Sequence, residues 1–77
     1  MTPEKIEVRT PIKLVQFVKL ASWSESGAEA NALVSQGQVS VNGEISTARS
    51  QKLNGGELIE ATLHTGEEVS AYVISQE

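Results

Sequence analysis

Val39-Ser40-Val41-Asn42-Gly43-Glu44 decides the fold of this chain, together with the Gln36-Gly37 pair just before it. Val39 and Val41 point to one face of a short strand, while Gln38 and Ser40 point to the other. Asn42-Gly43 favours a tight two-residue reversal because both residues tolerate positive φ, and Ile45 begins the return. Gly37 supplies the left-handed stop of a preceding helix. A helix therefore ends, turns a corner and runs directly into a hairpin.

Upstream of that corner, Ser26-Gly27-Ala28-Glu29 reads as a capping box. The helix it opens presents Ala30, Leu33 and Val34 on one side, with Asn31 and Ser35 away from it. An earlier helix has Leu14, Phe17, Val18 and Ala21 at i, i+3, i+4 and i+7. Gln16 and Lys19 fall opposite that face, and Lys13 lies near its edge. Ser22-Trp23-Ser24-Glu25 connects the two helices. Thr10-Pro11 allows two starts: Thr10 as cap with Pro11 in the first turn, or Ile12 still extended and the helix beginning near Leu14. Ile6-Glu7-Val8-Arg9 alternates as a short edge strand does, and residues 1 to 5 read as a frayed end.

Downstream, residues 46 to 52 are polar and read as an exposed loop or irregular strand. Leu53 returns to the core, and Asn54-Gly55-Gly56-Glu57 is a turn. Leu58 to Leu63 and Val69 to Ile74 are strands joined through His64-Thr65-Gly66-Glu67. The expected class is α+β: two short helices packed on a small, mostly antiparallel sheet.

Seventy-seven residues suit one domain, whose small core buries about 60–65% of the surface its unfolded chain exposes. The chain has no cysteine, and neither a leader segment nor an apolar run of about 18 residues is expected in it; a cytoplasmic protein is expected. Its net charge is −4, but the charges are unevenly spread. Lys5, Arg9, Lys13, Lys19, Arg49 and Lys52 all precede residue 53, with Glu4, Glu7, Glu25, Glu29 and Glu44. From residue 53 onward Glu57, Glu60, Glu67, Glu68 and Glu77 have no basic counterpart. A phosphate-binding face therefore belongs to the first two-thirds.

Catalysis has little to work with. There is no aspartate, and the single histidine, His64, falls in a turn; neither a nucleophilic triad nor a metal-ligand spacing results. Asn54-Gly55-Gly56 lacks the lysine and helix of a phosphate loop. No enzyme, metal or cofactor is expected.

The order of these features resembles the S-four RNA-binding domain, named after small-subunit ribosomal protein four and also called the alpha-L RNA-binding motif. The resemblance runs from Lys13 to Glu57. It is carried by Lys13-Leu14, Gln16-Phe17-Val18-Lys19-Leu20, Ser26-Gly27, Glu29-Ala30, Val39 to Glu44, Arg49, Lys52-Leu53 and Gly56-Glu57. It is nearest to the stand-alone bacterial members of about this length.

Such a resemblance implies an L-shaped platform that docks, without chemistry of its own, on structured RNA, ribosomal or transfer RNA above all. The implied contacts are Lys13, Lys19, Ser26, Gly27, Asn31, Asn42, Arg49, Ser50 and Lys52. Ser26 doubles as a cap, and Asn42 as a turn residue. Asn31, Ala48 and Gln51 stand where stand-alone members usually carry a basic residue, so weak and salt-dependent binding is expected. Trp23 either stacks on a base or fills the gap between the helices. Phe17 is core, and Tyr72 packs within its strand. The chain is expected to be a monomer. The acidic last third motivates the other reading, a protein-interaction module that has kept the fold and lost the RNA face.

Overall fold

The computed structural model describes residues 3–76. Along the chain run β1 (Glu4–Val8), β2 (Ile12–Lys13), α1 (Leu14–Leu20), α2 (Gly27–Ser35), β3 (Val39–Val41), β4 (Glu44–Ile45), β5 (Lys52–Leu53), β6 (Leu58–Thr62) and β7 (Glu68–Ser75). Five strands form one sheet in the order β1-β7-β6-β3-β4, and β2 and β5 form a separate ribbon. Every pairing is antiparallel except β1 with β7. The α+β expectation holds.

The helices cover one face of the sheet. Leu14, Phe17 and Val18 from α1 and Ala30, Leu33 and Val34 from α2 meet Val39, Ile59, Ala61, Ala71 and Val73 from the sheet in one buried cluster. No polar or charged residue is buried among the described residues. Trp23 belongs to this cluster, with its ring edge-on to Phe17 at 5.9 Å between centroids. Trp23 therefore fills the gap between the helices, as an aromatic pair in a small core favours.

Both helices end by the same device. After α2, the Gly37 amide donates to the Val34 carbonyl and the Gln38 amide to the Leu33 carbonyl, with Gly37 at φ 75°. After α1, the Ser22 amide donates to Lys19 and the Trp23 amide to Val18, with Ser22 at φ 62°. These paired bonds satisfy carbonyls that a helix end leaves open. Glycine occupies the left-handed position without steric cost; serine does not.

The two possible starts of α1 resolve in favour of Leu14. Ile12 and Lys13 remain extended because they pair with Leu53 and Lys52. The frayed end does not reach as far as expected. Glu4 and Lys5 lie in β1, opposite Ala71 and Tyr72 of β7, whereas Met1 and Thr2 lie outside the described residues. Tyr72 is another correction: it stands 37% exposed on the uncovered sheet face, across from Leu58.

The Asn54–Glu57 turn is held by Glu57, whose carboxylate accepts from the Asn54 and Gly55 amides, each at 2.7 Å. Gly55 has φ 118°, and a Cβ there would lie 3.0 Å from the Ser75 Cβ. The β6–β7 reversal forms where expected, closed by the Leu63 amide on the Glu67 carbonyl.

Candidate functional site

The site grows from the β2–β5 ribbon. Ile12 and Leu53 face inward as one buried pair, which turns the next pair, Lys13 and Lys52, outward on a shared face. Directly opposed residues of an antiparallel pair hold their Cβ atoms about 4.5–5.5 Å apart, and like charges there repel. The inward pair fixes this register, so the repulsion cannot be relieved by a slip.

The polar segment between β4 and β5 is ordered by its own hydrogen bonds. The Ser46 hydroxyl donates to the Gln51 amide oxygen, and the Gln51 amide donates to the Ala48 carbonyl. The segment then docks on the start of α1. The Leu14 amide donates to the Gln51 carbonyl at 2.8 Å and the Val15 amide to the Arg49 carbonyl at 3.3 Å. Those helix amides have no intrahelical acceptor, and the loop supplies one. Arg49 is thereby fixed by its backbone beside Lys13. A shallow depression of about 460 Å³ results, lined by Lys13, Val15, Asn31, Arg49 and Ser50 with Thr47 and Ala48.

The start of α2 continues this surface. The Ser26 hydroxyl oxygen accepts from the Glu29 amide at 3.1 Å. The Lys19 ammonium lies beside Gly27, its Nζ 3.8 Å from the place a Gly27 Cβ would take. Gly27 and Asn31 are four residues apart on α2, and Val15 and Lys19 four apart on α1, so each pair shares a helix face. The Lys19–Gly27 end thus leads along both helices into the depression holding Asn31 and Arg49.

The capping box forms by half. Glu29 does not reach back to Ser26; its carboxylate lies 3.8 Å from His64 Nε2. That is the one contact within ion-pair distance among the described residues, and it is an ion pair only when His64 is protonated. Lys13, Lys19, Arg49 and Lys52 therefore have no carboxylate at ion-pair distance there. All four are exposed, so their charges face solvent without an ion-pair partner among the described residues.

Of the residues expected at the site, the structure gathers Lys13, Asn31, Arg49 and Ser50 around one depression, places Lys52 across the ribbon from Lys13, and sets Lys19, Ser26 and Gly27 at its α2 end. Asn42 is not part of this group. Its amide oxygen accepts from the Leu58 amide at 2.9 Å and its own amide donates to the Leu58 carbonyl at 2.8 Å. With φ 52°, Asn42 ties the β3–β4 turn to β6. Val15 and Thr47 line the depression without having been expected there. The i, i+4 spacing of Val15 and Lys19 was the available signal for the first; Thr47 had none.

Among the described residues no three His, Asp, Glu or Cys side chains gather as metal ligands, and no helix is long and apolar enough to cross a membrane.

Comparison with known proteins places these features in context. Residues 5–70 match the family described as "S4 domain". The chain is 35% identical over 54 residues to "Putative RNA-binding protein YbcJ" of Escherichia coli (strain K12), an alignment covering 70% of this chain and 77% of that one. It is equally similar, over the same shares, to "Uncharacterized protein YbcJ" of Shigella flexneri.

Proposed function

The chain belongs to the S4 domain family, and from that premise we propose that it binds structured RNA, ribosomal or transfer RNA, as a cytoplasmic monomer with no catalysis of its own. The observation that carries this reading is the Lys13–Lys52 pair. Two lysines held opposite each other, with Arg49 docked beside them, raise the local positive potential at a cost in stability. A phosphate lying over the ribbon offsets that cost.

The chemistry of the remaining groups suits RNA. Structured RNA presents phosphates and 2′-hydroxyls over a wide, shallow minor groove and is read largely by shape. Lys13, Lys19, Arg49 and Lys52 match the phosphates, while Asn31 and Ser50 match 2′-hydroxyls. Gly27, with no side chain at the start of α2, permits close approach of the sugar-phosphate backbone. The printed name of the Escherichia coli relative, which calls that protein RNA-binding, supports the same reading.

A second reading, docking of a protein through the acidic last third, rests on the uncovered sheet face. There the register aligns Ser40, Glu60 and Ser70 across three strands, and Ile45 stands 70% exposed.

The test is the salt dependence of affinity for ribosomal RNA hairpins, followed by fluorescence anisotropy. Four phosphate contacts predict a slope of log K against log salt of about −3. Absence of binding to any hairpin at low salt would overturn the RNA reading and favour a protein partner.

A further inference from the structure

A groove of about 610 Å³ lies on the other side of α1, between that helix and the end of β1. Its chemistry is divided. Pro11, Ile12 and Leu20 supply apolar surface, and Arg9 and Lys19 supply cations; Glu7 is the carboxylate in the lining. Leu20 is 61% exposed at the end of α1. A lone exposed leucine is ordinary. This one lines a groove beside two cations that have no carboxylate at ion-pair distance among the described residues. The groove is also continuous with the cationic face, because Lys19 lines it and also reaches Gly27.

We propose that this groove receives an unpaired nucleotide flanking the structured RNA docked on the Lys13–Arg49–Lys52 face, with the base on Leu20 and Pro11 and its phosphate between Arg9 and Lys19. The proposal rests on the RNA-binding reading and extends its footprint around α1. A nucleotide has the required division, a flat base with little charge joined to an anionic phosphate. Unpaired nucleotides are the ones whose base faces are free to be contacted, and sequence preference in RNA recognition comes mainly from them. The Gln16 side chain also lines the groove, and its amide offers both a donor and an acceptor to a base edge. Arg9 thereby becomes a contact residue outside the set expected from the sequence.

The experiment compares one ribosomal RNA hairpin with blunt ends against the same hairpin carrying a short unpaired run, on the 5′ or the 3′ side. Wild type is measured beside Arg9→Ala, Leu20→Ser and Lys5→Ala, the last lying on β1 away from the groove lining. All three positions are exposed, and melting curves verify that each variant folds. The unpaired run on one side should tighten wild-type binding about tenfold, the scale of covering one exposed leucine side chain. Arg9→Ala and Leu20→Ser should each remove most of that gain while leaving blunt-hairpin affinity unchanged, and Lys5→Ala should keep it. If the blunt hairpin binds and neither extension adds anything, or the gain survives in both groove variants, this inference alone is overturned. If neither RNA binds, the reading beneath it falls as well.

Discussion

Between Lys13 and Lys52 the surface collects cations with no carboxylate at ion-pair distance among the described residues; from Leu53 onward those residues include glutamates but no lysine or arginine. The two regions share one core, since Leu53 is fully buried beside the residues of both helices. In the sheet region, charges serve local structure. Glu57 closes a turn by accepting two backbone amides, and Glu60 faces outward between the buried Ile59 and Ala61 of β6. In the helix region, local structure serves the charges. A two-residue ribbon sets Lys13 opposite Lys52, and a hydrogen-bonded loop presents Arg49 next to them. Like charges set opposite each other do not help folding, and on the proposed reading that is where RNA docks.

The strongest way to break that contrast is Arg49→Ala with Lys52→Ala. Both side chains are exposed, so the melting temperature should hold or rise slightly as the Lys13 repulsion is relieved. RNA affinity at low salt should fall about tenfold to hundredfold, with the salt slope shallower by nearly two. Anisotropy and a thermal melt on the same sample check both halves. Unchanged affinity would detach the cations from function.

Gly37→Val acts in the opposite sense, on the fold that both regions share. At φ 75°, with the Ile45 Cγ2 3.5 Å from the new Cβ, a β-branched residue should cost about 2 kcal/mol, read as a drop in melting temperature of about 10 °C. Asn42→Ala sharpens the contrast further. Losing the acceptor for the Leu58 amide should cost about 1 kcal/mol and leave the salt slope of RNA binding unaltered; a shallower slope would return Asn42 to the interface. The smallest effect is a gain. Ser22→Gly removes an exposed side chain from a left-handed position and should stabilise by about 0.5–1 kcal/mol, seen in a denaturant midpoint.

Much of this fold is legible in the sequence where a local signal exists. The α2 face, the Gly37 stop, the Asn42-Gly43 reversal and the β6–β7 hairpin each rest on residues a few positions apart, and they form as the spacing predicts. What was hidden is non-local. A two-residue strand has no alternation to read, so nothing in Lys13 or Lys52 announces that they oppose each other across the ribbon. The same holds for Glu4 and Lys5, drawn into β1 by a parallel partner near the other end of the chain. Ser22 hides differently, because serine is a rare occupant of a position where glycine is the usual marker. Glu29 had a plausible local partner in the capping box, but its carboxylate lies instead beside His64, distant in sequence. The cations themselves were visible as a charge asymmetry; that they converge became apparent only once the ribbon and the docked loop were in place.

The central claim, that RNA docks on the helix-side cations and not on the acidic sheet, is tested most directly by an NMR amide-shift titration with a ribosomal RNA hairpin at low and then moderate salt. The account predicts shifts at Lys13, Lys19, Ser26 to Asn31 and Arg49 to Lys52 that fade as salt rises, with Glu60 and Ser70 unmoved. Shifts concentrated on Ser40, Glu60 and Ser70, or none at low salt with several hairpins, would contradict it.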